Sequence, residues 1–152
     1  VVSAADMFAA CDQLFDLCDI LIMSAAVSDV RPKTVLSRKA KKDEIDLNPQ
    51  LERTPDILLE LSKRKKNQIL IGFAAETQNV LEYAKDKLER KNLDGIVANN
   101  VGAEGAGFAA DTNKIDLILR SGEVVDFRKG SKSEVAELLV SFLSARFFNE
   151  PI

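Results

Sequence analysis

Histidine is absent from the 152 residues, which excludes every catalytic triad and metal site that needs an imidazole. The only cysteines, Cys11 and Cys18, lack the CxxC spacing of a structural zinc site. On one helical stretch their Cα atoms stand about 10.5 Å apart, beyond the roughly 7 Å that a disulfide spans, so they are expected to be core thiols. No run approaches the roughly 18 apolar residues of a membrane helix, and the amino end lacks the basic flank and small-residue cleavage site of a signal peptide. A cytoplasmic protein with no membrane partner is expected. A Walker A loop is missing as well. The excess of charge of one sign is small: 21 basic and 24 acidic residues leave a net charge of -3, which argues against a general nucleic-acid surface but allows a basic cluster for a small anionic ligand. The length suits one domain over residues 1–152, and 46% hydrophobic residues can fill one core.

What is present alternates in an orderly way. Ser3 and Asp6 have capping-box spacing, and Met7, Phe8, Cys11, Leu14, Phe15 and Cys18 then recur at helical intervals, predicting a helix over about 4–17. Ile20-Leu21-Ile22-Met23 has no polar alternation and predicts a strand over 20–27 covered on both faces. The polar segment 28–53, in which only Ile45-Asp46-Leu47 alternates, is expected to be an extended arm or flap. Thr54, Pro55 and Asp56 read as N-cap, first helical residue and dipole-matching acid of a helix over about 55–66. The run Lys63, Arg64, Lys65, Lys66 then suits that helix's negative end and needs no other role.

Buried strands follow at 69–75 and 95–99, separated by a helix over about 78–91. This βα order predicts a parallel sheet with right-handed crossovers. Residues 115–119, 120–123 and 124–127 read as strand, turn and strand, a hairpin at a sheet edge. Ser131 and Glu134 repeat the capping-box spacing before a closing helix through Phe147. The fold class expected is therefore α/β: a Rossmann-like, mostly parallel sheet flanked by helices, with a C-terminal β-hairpin.

Ligands of such sheets bind beyond the carboxyl ends of the strands. There the chain offers Asp29, the lysines at 39, 41 and 42, the helix start at 54–56, Phe73 with Glu76, and Lys87 and Lys91 one turn apart. Ammonium groups stabilise phosphate charge, and an aromatic residue at a strand end offers a base a packing surface. Gly102, Gly105 and Gly107 are spaced GxxGxG, not as a dinucleotide fingerprint, and are expected to form a flexible loop.

The combination of Ala25-Ala26-Val27-Ser28-Asp29, Lys39-Ala40-Lys41-Lys42, Thr54-Pro55-Asp56-Ile57, Gly72-Phe73-Ala74-Ala75-Glu76-Thr77 with Asn79, Lys91-Asn92-Leu93-Asp94 and Ala98-Asn99-Asn100 resembles phosphopantothenoylcysteine synthetase. Phe108, Asp111 and Asn113 extend the match over nearly the whole chain. This resemblance implies a dimeric, Rossmann-like ligase of coenzyme A biosynthesis with 4′-phosphopantothenate, cysteine, CTP and Mg²⁺ as its partners. Such a ligase first forms an acyl-cytidylate, from which the amino group of cysteine displaces CMP. FMN is implied only where a decarboxylase half shares the polypeptide.

The resemblance places base and ribose near Met23, Ser24 and Ala25, with Asp29 accepting from the ribose hydroxyls. Alternatively, Asp29 caps the next turn. Lys39 is implied in catalysis as well as nucleotide binding. By itself it would be a solvated loop cation. Pro55, Asp56, Ile57, Leu58, Phe73, Lys87 and Lys91 are implied as further nucleotide contacts, although Phe73 also suits a plain core. No metal ligands are assigned.

Family members carry a first strand, a glycine-rich loop and an asparagine-bearing segment ahead of the region matched here. The 152 residues alone are therefore expected to have little ligase activity. Two other readings predict different features. A nicotinamide-dependent oxidoreductase needs a glycine-rich loop after its first strand. A non-catalytic nucleotide-binding or dimerisation module would be indifferent to loss of Lys39.

Overall fold

The computed structural model describes residues 1–42, 45–76, 80–100 and 112–148. A five-stranded sheet has the order β1 (Ile20–Met23), β4 (Ile69–Glu76), β5 (Gly95–Asn100), β7 (Ile115–Leu119) and β8 (Val124–Asp126). The first three run parallel, with Met23 beside Gly72 and Phe73 beside Val97. β7 is antiparallel to β5 and makes the predicted hairpin with β8 at the sheet edge. An α/β fold with a mostly parallel centre and flanking helices is thus observed.

Each face of the sheet has its own core. On one, α1 (Ala4–Phe15), α2 (Ile57–Ser62) and α3 (Val80–Arg90) supply Phe15, Leu58, Leu61, Ala84 and Leu88 against Leu70, Ala74 and Ile96. On the other, α4 (Lys132–Phe148) lays Val135, Leu139 and Leu143 over Ile71, Val97, Leu117 and Leu119. Central strands without polar alternation are therefore covered on both sides. Gly72 permits close packing beside the sheet's carboxyl end, since a Cβ there would stand 3.0 Å from Leu93 Cδ1 and 3.3 Å from Leu58 Cδ1. Cys11 and Cys18 are free thiols, half-buried against the first core. Burial holds the Cys18 thiol above its usual pKa, and its Sγ–H donates to the Phe15 carbonyl at 3.3 Å.

Several boundaries depart from the sequence reading. The first strand stops at Met23 and is half-buried rather than fully covered, because among the described residues it pairs on one side only, with β4. Within the arm, Ile45-Asp46-Leu47 has no partner strand among the described residues; the arm's base is instead an antiparallel ribbon of β2 (Val30–Pro32) and β3 (Leu51–Arg53). Asp56, not Thr54, is the N-cap of a short α2 and accepts from the Leu59 N–H at 3.2 Å. Thr54 is committed elsewhere: its hydroxyl donates to the Ser28 carbonyl and its N–H donates to the Asp29 carbonyl at 3.0 Å.

The basic run after α2 is more specific than a solvated end. Lys63 pairs with Glu60, Arg64 with Asp12, and Lys65 with Asp94. Small ladders also join β6 (Thr112–Asn113) to β9 (Gly130–Ser131). The glycines at 102, 105 and 107, with Phe108 and Asp111, lie outside the described residues, as do Thr77 and Asn79.

Candidate active site

The chain leaves β1 through Ser24-Ala25-Ala26, residues too small to block the carboxyl end of the sheet. A solvent-open cleft of about 590 Å³ forms there. Met23, Ala25 and Asp29 come from the exit of β1, Pro55 to Leu58 from the start of α2, Phe73 from β4 and Lys91 from the end of α3. The cleft thus gathers nine of the twelve residues singled out in the sequence. Ser24 instead borders a neighbouring cavity, and neither Lys39 nor Lys87 lines the cleft. Lys39 is exposed in the arm and Lys87 is half-buried on α3.

Val27, Ser28 and Thr54 also line the cleft, though the sequence analysis assigned none of them a nucleotide contact. Thr54 bonds to Ser28 and Asp29, closing the base of the arm beside the cleft. Across the ribbon, Arg31 Nε donates to Glu52 Oε1 at 2.7 Å.

Lys91 is the best-fixed cation of the cleft. Its Nζ lies 3.0 Å from Asp56 Oδ1 and 2.8 Å from Oδ2, and its side chain is 19% exposed. At its backbone, Asn92 adopts φ 49°. The Asn92 N–H donates to the Glu89 carbonyl at 3.2 Å and the Leu93 N–H to the Leu88 carbonyl at 2.9 Å. These two bonds form a Schellman motif with Lys91 at the C-cap.

Phe73 packs against the core under α4 and also forms part of the wall of the cleft. The neighbouring cavity, about 990 Å³, lies on its other side. Ile22, Ile115, Val135 and Leu139 give that cavity an apolar lining, with Ser24, Asn99, Asn113 and Lys132 as polar groups. Asn99 Oδ1 is buried there without a hydrogen-bond partner among the described residues.

Chemically, the cleft offers a fixed ammonium group for phosphate, a carboxylate on Asp29 for hydroxyl donors, and an aromatic edge. A divalent metal such as Mg²⁺ needs few protein ligands when substrate phosphates and waters supply the rest. The donor set fits that mode, because among the described residues Asp29 and Asp56 are the cleft's carboxylates and Asp56 is engaged by Lys91.

The family described as "DNA/pantothenate metabolism flavoprotein C-terminal domain" matches residues 1–146. The coenzyme A biosynthesis bifunctional protein CoaBC of Bacillus subtilis (strain 168) is 48% identical over 145 residues, 95% of this chain but 36% of its own length. The chain therefore spans about a third of that relative. A crystal structure of the C-terminal domain of a CoaBC protein superposes with a TM-score of 0.77 at 41% identity, over 99% of this chain and 67% of that one. A Cab2 variant in complex with phosphopantothenate-cysteine shares the fold, with a TM-score of 0.70 at 15% identity over 98% of this chain and 52% of its own.

Proposed function

The chain belongs to the family of the DNA/pantothenate metabolism flavoprotein C-terminal domain, and from that premise we propose that it forms the nucleotide-binding part of a ligase that joins 4′-phosphopantothenate to cysteine in coenzyme A biosynthesis. The observation that carries this reading is the convergence, in one cleft at the carboxyl end of the sheet, of Asp29, the start of α2, Phe73 and Lys91. The name of the bifunctional relative, and the product held by the Cab2 variant, are in line with it.

In this reading CTP occupies the cleft. Its ribose hydroxyls donate to Asp29, its base packs beside Met23, Pro55, Ile57, Leu58 and Phe73, and its phosphates extend toward Lys91 and Lys87. The phosphopantothenate carboxylate oxygen attacks the α-phosphorus, the bond to the β-phosphate oxygen breaks, and pyrophosphate leaves. The cysteine amino nitrogen then attacks the acyl carbon, CMP departs with the electron pair, and the nitrogen loses a proton. Holding the activated acyl group beside the amine replaces a bimolecular encounter by proximity.

Lys39 acts from the arm on the charge that develops as pyrophosphate leaves, the stage at which a positioned cation contributes most. Mg²⁺, carried in on the phosphates, would supply further charge neutralisation. The working protein is a homodimer. An FMN-dependent decarboxylase half belongs to it only in bifunctional relatives.

The test uses the full-length protein and its Lys39→Gln variant, with CTP-dependent pyrophosphate release measured in the presence of phosphopantothenate and cysteine. A fall in kcat of about 100-fold or more is expected, the usual cost of removing one group that stabilises developing charge. Calorimetry should show CTP affinity falling far less. Turnover within twofold of wild type would overturn the role of Lys39. A thermal shift with NAD but none with CTP would overturn the choice of ligand.

A further inference from the structure

We infer that Asp56 is the positioning residue for Lys91, holding its ammonium group in the cleft, and is not itself a contact of the nucleotide. The inference deepens the ligase reading and rests on it for the identity of the ligand. It does not rest on that reading for the geometry.

Three links fix the ammonium. The Schellman motif sets the backbone from which the Lys91 side chain leaves α3. Asp56 Oδ1 accepts from the Leu59 N–H at 3.2 Å, so the N-cap bond of α2 orients the carboxylate. Both oxygens of that carboxylate then receive the ammonium, at 3.0 and 2.8 Å. A long side chain that lines the cleft is thereby anchored at both ends, between the start of α2 and the end of α3, which β4 separates along the chain.

Exposed ion pairs usually contribute little, because ordering two flexible side chains offsets a screened attraction. Here the ordering is already shared with a helix cap and a helix C-cap, and the Lys91 side chain is mostly covered. An ammonium has three donors. Even with one directed at each Asp56 oxygen, one remains for a phosphate oxygen.

Without the pair, a lysine tethered only at its backbone would have to be ordered each time a polyanion arrived. The ordering cost of one such side chain corresponds to roughly three- to tenfold in affinity. Asp56 also repels phosphate directly, which acts in the opposite direction. The inference is that preorganisation wins, because the carboxylate is neutralised by the ammonium in contact with it.

Asp56→Asn tests this cleanly, since asparagine caps a helix as well as aspartate does while losing the charge that holds Lys91. Calorimetry of CTP binding to full-length wild type, D56N, K91M and the double variant should give three- to tenfold weaker binding for D56N. In the K91M background D56N should change affinity by less than about 1.5-fold. Equal weakening in both backgrounds would show that Asp56 touches the nucleotide directly. Tighter binding by D56N would show that it competes with phosphate. Either result overturns the inference.

A second measurement needs no nucleotide. Acetic anhydride labelling followed by mass spectrometry should modify Lys91 at least threefold faster in D56N than in wild type, and equal rates would overturn the inference. If wild type bound no CTP while D56N still labelled faster, the ligase reading would fail and the positioning of Lys91 would stand.

Discussion

The sheet body and the arm at residues 28–53 are built on opposite principles. In the body, Leu70, Ile71, Val97 and Leu117 are fully buried and packed between helices. In the arm, Val35, Leu36, Ile45, Leu47 and Leu51 are exposed, and the only strands among its described residues are the three-residue pair at its base. The same residue types thus hold one region together and leave the other tied mainly by backbone bonds and a clip at Thr54. What differs is what is packed against them. The body positions the cleft, and the arm carries Lys39.

Truncating a leucine in each region should separate the two most widely. Leu117→Ala removes buried methyl groups from a site covered on both sides and should cost about 2–5 kcal/mol, read from urea denaturation. Leu47→Ala, at a residue 86% exposed, should stay within about 0.5 kcal/mol. Comparable losses would mean that the arm packs onto something not contributed by the described residues.

A smaller contrast uses one interaction type in both places. Lys65 Nζ lies 2.5 Å from Asp94 Oδ2 with side chains 10% and 19% exposed, and the same oxygen accepts from the Leu70 N–H at 2.7 Å. This pair joins the turn after α2 to the seam between β4 and β5. Lys65→Met leaves a largely buried carboxylate short of a partner and should cost about 1–3 kcal/mol, partly recovered in the double variant with Asp94→Asn. Arg31–Glu52 on the arm, with side chains 52% and 36% exposed, should give at most about 1 kcal/mol when Arg31 is changed to Met. Equal costs would erase the distinction between the two regions.

The same distinction decides how much could be read from the sequence. Body strands and the helices at 4–15 and 132–148 were legible because uninterrupted apolar runs and helical periodicity are local records of burial. The lining of the cleft was largely legible through its resemblance to a known ligase. The arm was not, because its ribbon is set by a clip between residues 26 positions apart, and the alternation at 45–47 has no partner strand among the described residues. The cap at Asp56 was missed for a related reason: Thr54 has the better local cap signal but spends its hydroxyl on Ser28. Lys65 looked like one cation among four, and only the fold shows Asp94 waiting beside it.

The gentlest prediction lies where the body itself behaves like the arm. α4 packs firmly through Val135, Leu139 and Leu143, yet its capping box is exposed. The Ser131 N–H donates to Glu134 Oε2 at 2.8 Å, as does the Ser131 hydroxyl, and these bonds hold the Glu134 carboxyl below its usual pKa. A depressed folded-state pKa means that the unfolded chain binds the proton more readily. The stabilisation is therefore present above the usual glutamate value of 4.5 and fades as pH falls through the lower folded value. Thermal midpoints of wild type and Glu134→Gln should differ slightly above that value and draw together below it. A difference that persists unchanged into acid would place the contribution of Glu134 in shape rather than charge. The start of α4 would then belong energetically with the packed body, not with the exposed arm.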